Sequence, residues 1–301
     1  MPSRREIREA VVQFLYCADL EGGADPSALR GAFWDFVTES DRRSLLLATF
    51  RTIHHLAQGR GDRIAEFVQR QEAAIAFLAA WPEAESLKSG LTRIAKLESQ
   101  WSASLAQLER LPKDGDDATI VDRFTKPLDA FFTIDRALAE ARQLFLKDMD
   151  DFPALHGRLE PIAASVRRLQ RISDRLRMVE EPERFPEQAD LGSLRDSKSH
   201  IQQLRISTDL LVDEIIANKQ RIDASLAELV ENYSPERIDP VDRAILRLAA
   251  QEILKAETPI KVILNEAIEL AKRYGTTDSQ RFVNGILDRF AKVHAPKASE
   301  A

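Results

Sequence analysis

Two prolines and a glycine divide the C-terminal stretch, residues 234–290, into three short amphipathic segments. Asp239 before Pro240 is typical of a helix start, because the carboxylate caps free N–H groups and proline lacks only an N–H that would be unpaired there. Pro259 predicts the start of a second helix. Gly275 predicts its end, as a glycine that is free to adopt positive φ.

The third segment is predicted to be a helix that begins at Asp278 or Ser279. The dipeptide Asn284-Gly285 inside it usually indicates a hairpin turn, but apolar residues at helical spacing lie on both sides of it. We therefore expect Gly285 to lie within a helix and to let a neighbouring helix come close. The apolar faces of the three helices comprise Ile245, Leu248, Ala249 and Leu254; Val262, Ile263, Ala267, Leu270 and Ala271; and Phe282, Val283, Ile286 and Phe290.

Three motifs in this stretch resemble those of a known family. They are the run Asn265-Glu-Ala-Ile-Glu-Leu-Ala-Lys, the ending Tyr274-Gly275 and the pattern Asp278-Ser279…Phe282-Val283-Asn284-Gly285. The match is long and ungapped, and it resembles NusB, the bacterial transcription antitermination factors. The resemblance implies an all-α fold of two small helical bundles. It also implies binding of boxA-like single-stranded RNA together with NusE, a protein of the small ribosomal subunit, within a transcription elongation complex.

A helix is predicted near the N-terminus, where Ser3 and Glu6 form a capping box. Arg4, Arg5 and Arg8 are expected on or near its polar face. This cluster is either an ordinary solvated face or a small patch that contacts phosphates, since guanidinium groups suit phosphate oxygens. The resemblance favours the second interpretation, because NusB proteins begin with a basic helix that holds RNA. That helix ends in a pattern like Gln13-Phe-Leu-Tyr16.

Tyr274, Asp278 and Phe282 lie around a predicted helix end and the next helix start. An aromatic ring there can stack on an unpaired base, and a carboxylate can accept hydrogen bonds from base amino groups. Without the resemblance, the aromatic residues are better explained as core and Asp278 as a helix cap. The resemblance implies an RNA-binding set of Arg4, Arg5, Arg8, Tyr16, Tyr274, Asp278 and Phe282, and a contact of Asp242 with NusE.

From about residue 41 to residue 200 the resemblance stops, and the sequence predicts additional helices. They are expected at 45–57, 64–80, 83–111, 119–149 and 159–180. The third has apolar residues close to heptad spacing, namely Leu87, Leu91, Ile94, Leu97, Trp101, Leu105 and Leu108. The fifth does too, so an elongated antiparallel helical hairpin or bundle is predicted.

These patterns predict a discontinuous NusB-like domain and an inserted helical domain. The expected boundaries are 1–40 and 205–295 for the NusB-like domain, 41–204 for the insertion and 296–301 for a tail. Within the insertion, one predicted helix carries an arginine run made up of Arg167, Arg168, Arg171, Arg175 and Arg177. This run is either a solvated helix face or an accessory phosphate-binding face.

Composition limits the class of protein. The net charge of −6 argues against a generally basic surface, so an RNA site must be local. Cys17 is the single cysteine, which excludes a disulfide within the chain, and it is expected to be a small buried residue. No apolar run is long enough for a membrane helix. We therefore expect a cytoplasmic protein with no membrane partner.

No catalytic constellation is found among the histidines or acidic residues, and no glycine-rich loop could hold a nucleotide or another cofactor. The protein is therefore expected not to be an enzyme. NusB-like domains also precede a catalytic domain in some ribosomal-RNA cytosine methyltransferases, but here no methyl-donor loop follows. A second alternative keeps the NusB-like core as a structural protein, with a helical insertion that mediates a homodimer or partner binding and with RNA binding lost.

Overall fold

The computed structural model describes residues 1–22, 26–229 and 237–294. Within these ranges the chain forms α-helices joined by turns and short 3-10 segments, without a β-strand, which confirms the predicted all-α class. The predicted tail at 296–301 lies outside the described residues. The helices are α1 (Arg4–Leu20), α2 (Pro26–Val37), α3 (Glu39–Ala57), α4 (Arg60–Leu78), α5 (Glu85–Arg110), α6 (Asp117–Asp148), α7 (His156–Glu180), α8 (Gly192–Ala217), α9 (Lys219–Ala227), α10 (Pro240–Lys255), α11 (Ile260–Tyr274) and α12 (Ser279–His294).

The chain divides into two compact units. The first unit comprises Met1–Thr38 and Ser199–Ala301, and the second comprises Glu39–Lys198. In the first unit, α10 lies at the centre and packs against α1, α11 and α12. Its buried side chains occur all round the helix, as expected for a central helix; they include Ala244, Ile245, Leu246, Leu248, Ala249, Ala250 and Ile253.

The predicted helix starts of the first unit are confirmed. The Ser3 hydroxyl accepts from the Glu6 N–H at 3.1 Å, and the Glu6 carboxylate accepts from the Ser3 N–H at 2.6 Å. The Asp239 carboxylate caps α10 by accepting from the Val241 N–H at 2.9 Å. These bonds fix the start of α1 and of α10, the two helices that bring the first and last parts of the chain together.

Gly275 ends α11 and Gly285 lies within α12, as predicted, but the physical reason predicted for each glycine is wrong. Gly275 ends α11 with φ −91° and ψ −173°, an extended conformation open to any residue. A glycine is needed there because a Cβ atom would lie 2.5 Å from the Ser279 side chain and 2.8 Å from the Ala271 carbonyl oxygen. Gly285 is helical, as predicted, but it is exposed and nothing lies within 4 Å of an added Cβ atom. No described helix therefore packs closely on it.

The second unit is built from α3 to α7. Trp101 of α5 packs on Phe131 of α6 with ring centroids 4.9 Å apart, while Gly90 lies beside Phe145. The later residue of α5 thus contacts the earlier residue of α6, so the two helices run antiparallel. Their apolar faces join those of α3, α4 and α7 in one core.

A network of charged side chains is buried inside this core. Glu98 accepts hydrogen bonds from both Arg60 and Arg142, and the three side chains are at most 6% exposed. The Arg60 guanidinium stacks over the Trp101 ring, with its central carbon 3.6 Å from the ring centroid. Burial lowers the pKa of Arg60, and the Glu98 carboxylate opposes that shift. The carboxylate therefore keeps two cations stable where water does not reach.

Asp135 extends the same network. It accepts from the Trp101 Nε1–H at 2.8 Å and from the Ser173 hydroxyl at 2.8 Å, and Ser173 in turn accepts from Arg142 at 2.9 Å. Burial raises the pKa of the Asp135 carboxyl, although the hydrogen bonds from Ser173 and Trp101 lower it in part. Helices α5, α6 and α7 are thereby joined through polar as well as apolar contacts.

Several local predictions need correction. The helix expected at 119–149 begins two residues earlier, because Asp116 caps α6 by accepting from the Thr119 N–H at 2.8 Å. Leu97 is only half-buried, and the neighbouring Glu98 is buried in the core instead. Val262 is 44% exposed because it lies on the outer side of α11, and Cys17 is also exposed.

Candidate nucleic-acid interface

The predicted basic helix α1 is held by carboxylates of other helices in the first unit. Arg5 donates two hydrogen bonds to Glu266 of α11, at 2.9 and 3.1 Å. The hydrogen bond to Glu266 and its charge raise the pKa of the Arg5 guanidinium. Its side chain remains 54% exposed, so one edge of the guanidinium still faces solvent.

Arg8 does not lie on the polar face, and that prediction is wrong. It is 4% exposed and forms a bidentate pair with Glu252 of α10, at 2.9 to 3.0 Å. A second carboxylate, that of Glu266, lies 3.8 Å away. Since two carboxylates surround this buried guanidinium, its charge is already compensated within the fold.

The remaining predicted residues of α1 are more accessible. Arg4 is exposed and forms no ion pair with any residue in the described ranges. Tyr16 is half-buried. It lies eight residues beyond Arg8, or about 12 Å along the helix axis. Arg4, Arg5 and Tyr16 therefore have solvent-accessible surface that a ligand could contact, whereas Arg8 does not.

Tyr274 lies at the end of α11 and contacts α1. Burial raises the pKa of its hydroxyl, and the nearby Glu9 carboxylate raises it further. The side chains of Glu9 and Gln13, both on α1, lie near this hydroxyl. The Arg273 guanidinium lies 5.3 Å from the ring centroid and pairs with Glu9. Tyr274 is thus held at its polar tip, while its ring stays half-exposed.

Asp278, Arg281 and Phe282 share one face at the start of α12, because residues three and four apart lie side by side on a helix. Asp278 and Arg281 are exposed and Phe282 is half-buried. Neither charged side chain has an ion-pair partner within the described ranges. Tyr274 lies four residues before Asp278, across the short turn between α11 and α12. We call these four residues the turn surface, and they supply one carboxylate, one guanidinium and two aromatic rings.

The chain between α11 and α12 is fixed by Ser279, whose side chain is almost fully buried. Its hydroxyl accepts from the Thr276 N–H at 2.9 Å. The carboxylate of Asp242, on α10, lies near the same hydroxyl. Gly275 leaves no side chain between Ser279 and the end of α11, so only a short turn separates Tyr274 from Asp278 in the chain.

Asp242 lies behind the turn surface. It is 6% exposed, and its Oδ1 atom accepts no hydrogen bond from the described residues. Burial raises the pKa of its carboxyl, which the hydrogen bond with Ser279 lowers in part. Asp242 is therefore not an exposed contact residue. A charge reversal at this position would disturb the fold before it affected the binding of any partner.

Replacing Asp242 with asparagine is expected to change how stability depends on pH. The folded protein holds the Asp242 proton more tightly than the unfolded chain, so this group lowers stability as pH rises from about 4 towards the raised folded value. The variant lacks this loss, so its free energy of unfolding is expected to increase relative to that of the wild type as the pH rises from 4 to 7. Thermal unfolding across that range tests it, and parallel stability curves would contradict it.

Sequence reasoning missed three residues of this region. Arg281 is an exposed cation next to Phe282 and has no ion-pair partner among the described residues. Its position one residue before that aromatic residue could have indicated a role at the site. Arg273 and Glu9 form the ion pair that positions Tyr274. Their pairing joins residues 264 positions apart, so no local pattern indicated it.

Searches for other kinds of site give two findings. Across the part of the chain that the structure describes, no group of three or more histidine, cysteine or acidic side chains is arranged to hold a metal ion. No helix within 1–22, 26–229 or 237–294 is long and apolar enough to cross a membrane.

Comparisons with known proteins identify similar sequences. The model of the NusB family matches residues 166–292, a range that begins in α7 of the second unit, earlier than the expected boundary at residue 205. The transcription antitermination protein NusB of Pseudothermotoga lettingae is 45% identical over 105 residues, which are 35% of this chain and 74% of that protein. That of Thermotoga sp. strain RQ2 is 53% identical over 81 residues, 27% of this chain and 57% of that protein.

A solved structure described as T. maritima NusB is 42% identical to this chain. The alignment covers 34% of this chain and 75% of that one, with a TM-score of 0.31. This chain therefore spans 57% of the Thermotoga sp. protein and about three quarters of the other two.

Proposed function

The chain belongs to the NusB family, and we propose that it is a transcription antitermination factor whose first unit binds boxA-like single-stranded RNA together with NusE. Its relatives are named as transcription antitermination proteins, which supports the activity. The RNA and the protein partner are inferences from the resemblance and from the turn surface. Recruitment of an RNA element to a transcription elongation complex requires binding and no chemical step.

The observation that carries this proposal is the composition of the turn surface. Asp278 presents a carboxylate without a partner among the described residues, one helical turn from the half-exposed ring of Phe282. Bases in single-stranded RNA expose amino groups and aromatic faces, which these two side chains can engage. Arg281 adds a cation on the same face, as a phosphate contact requires.

The residues of α1 divide into two roles. Arg4 and Arg5 would contact phosphates, since both keep exposed guanidinium surface and an exposed ion pair such as Arg5–Glu266 is weak. Arg8 would act as a positioning residue, because its pairing with Glu252 holds α1 against α10. Tyr16, half-buried on α1, would offer its ring at the far end of the site.

A contact with NusE near Asp242 needs a different test from a charge reversal. The Asp242 side chain is buried, so its role would be to set the position of Ser279 and of the neighbouring start of α12. The isosteric Asp242→Asn variant keeps this geometry while removing the charge. We expect it to bind NusE as wild type does, whereas a weakened complex would indicate direct recognition of the carboxylate.

The RNA-binding test is fluorescence anisotropy of a labelled boxA-type RNA titrated with the full chain, with and without NusE. Asp278→Ala is expected to weaken binding about tenfold, because a good base contact contributes roughly 1–3 kcal/mol. Phe282→Leu retains an apolar side chain but removes the aromatic plane, and a similar loss is expected. Binding of wild type should be tighter with NusE and should weaken as salt rises.

The matched control is Asp288→Ala. Asp288 is exposed on the same helix, with a side chain 55% exposed, but lies ten residues from Asp278. This variant should bind RNA as wild type does. If Asp278→Ala and Phe282→Leu keep full affinity, or if the wild-type chain binds no boxA RNA in either condition, the proposed function is wrong.

A further inference from the structure

A basic pocket lies in the second unit, between the end of α3, the start of α4 and the middle of α7. Its volume is about 450 Å³. Four arginines line it, and no carboxylate does among the described residues. The full lining comprises His55, Leu56, Gln58, Arg63, Arg168, Arg171, Ile172 and Arg175.

The arginines converge because of helix geometry. Arg168, Arg171 and Arg175 are three and four residues apart, which places them on one face of α7. Arg63 approaches from the first turn of α4, whose N-cap Gly59 has no side chain to satisfy the free N–H groups there. This end of α4 adds partial positive charge to the same pocket.

Internal carboxylates compensate only part of this charge. Arg168 donates to Glu66 at 2.9 Å, and Arg175 lies 3.8 Å from Asp190. The Nε atom of Arg168 is shielded from solvent and has no acceptor in the described part of the chain. Arg63 and Arg171 are exposed and form no ion pair with any described residue. The pocket therefore holds guanidinium groups whose natural complement is a bound anion.

The pocket continues into a second one of about 350 Å³, with which it shares His55, Leu56 and Arg175. The combined groove follows α7 from Arg168 to Val179, about 16 Å along the helix axis. The second pocket adds the Arg51 guanidinium to the lining, and also the Asp190 carboxylate that faces Arg175. Apolar side chains, including Leu56 and Ile172, lie among these charged groups. A single phosphate group would fill only one end of this groove.

We propose that this groove binds the phosphodiester backbone of a single-stranded nucleic acid. The arginines would take successive phosphates, while the planar guanidinium and imidazole groups and the apolar side chains would lie against the bases. Single-strand sites combine these same features, a cationic track and surfaces on which bases stack. The groove belongs to the second unit and does not depend on the turn surface of the first.

The test is anisotropy of a labelled oligouridylate, which contains no boxA sequence, titrated with the full chain. Arg63→Glu/Arg171→Glu is expected to bind about tenfold more weakly at about 200 mM salt, and to lower the slope of log affinity against log salt by about 1.4, since each lost phosphate contact contributes about 0.7. Both side chains are exposed and have no ion-pair partner among the described residues, so circular dichroism should show an unchanged fold.

A matched control separates this site from general charge effects. Arg93→Glu/Arg158→Glu makes the same change in net charge at exposed positions of the second unit that do not line the groove, and it should bind as wild type does. The proposal fails if wild type does not bind or if the groove variant matches the control variant.

A competition experiment distinguishes binding of a single-stranded nucleic acid from binding of a small anion. Excess inorganic phosphate should compete no better than chloride at the same ionic strength, because one phosphate occupies little of the groove. Displacement of the oligonucleotide by phosphate alone would make the groove a small-anion site and overturn the proposal.

Discussion

Replacing Glu98 with alanine is expected to destabilise the second unit by about 4 kcal/mol, because it removes one partner of a buried ionic network. Arg60 and Arg142 would then lie close together inside the core, with Asp135 as the nearest remaining carboxylate. Two buried cations with too little compensation must either bring in water or unfold their surroundings. Hydrogen exchange of α5 and α6, together with denaturant unfolding, measures the loss.

The control for Glu98 is Glu160→Ala in the same unit. Glu160 pairs with Arg167, but the two side chains are 56% and 50% exposed, so its loss should cost less than about 1 kcal/mol. A triple replacement of Arg60, Glu98 and Arg142 by apolar residues of similar size should recover much of the stability, since no charge is then left unpaired. A Glu98→Ala protein as stable as Glu160→Ala would show that water already reaches the network.

Helical periodicity predicted the class of fold but could not find this network. The heptad spacing of α5 was assigned through Leu97, whereas the helix buries Glu98 at that step. A carboxylate between leucines is normally evidence for a solvated face. It is buried here only because Arg60 and Arg142, 38 and 44 residues away, supply the charge that compensates it. A single-segment pattern carries no information about such distant partners.

In the candidate site, too, features that depend on neighbouring residues were predicted and features that depend on distant residues were not. The capping box at Ser3 and the cap at Asp239 depend on neighbouring residues, and both were predicted correctly. The burial of Arg8 depends on Glu252, 244 residues later in the chain, and was predicted wrongly. The family resemblance could indicate which residues belong to the site. It could not indicate which guanidinium groups remain free, because that depends on tertiary ion pairs.

Replacing Gly275 with alanine is expected to destabilise the first unit by about 3 kcal/mol through overpacking. The new Cβ atom would lie 2.5 Å from Ser279 and 2.8 Å from the Ala271 carbonyl, both of which are fixed by their own packing. Relief of this clash would move the start of α12. Weaker binding of boxA RNA is therefore expected along with the loss of stability, and hydrogen exchange in α11 and α12 should increase.

Gly285→Ala is the matched control for this effect. Gly285 lies inside α12 in an open position, so alanine should stabilise the helix by about 0.5–1 kcal/mol. The two substitutions add the same methyl group to the same short region, with opposite expected signs. If both variants are stabilised, the turn between α11 and α12 can relax at little cost, and the geometry that joins Tyr274 to Asp278 does not depend on the absence of a side chain at residue 275.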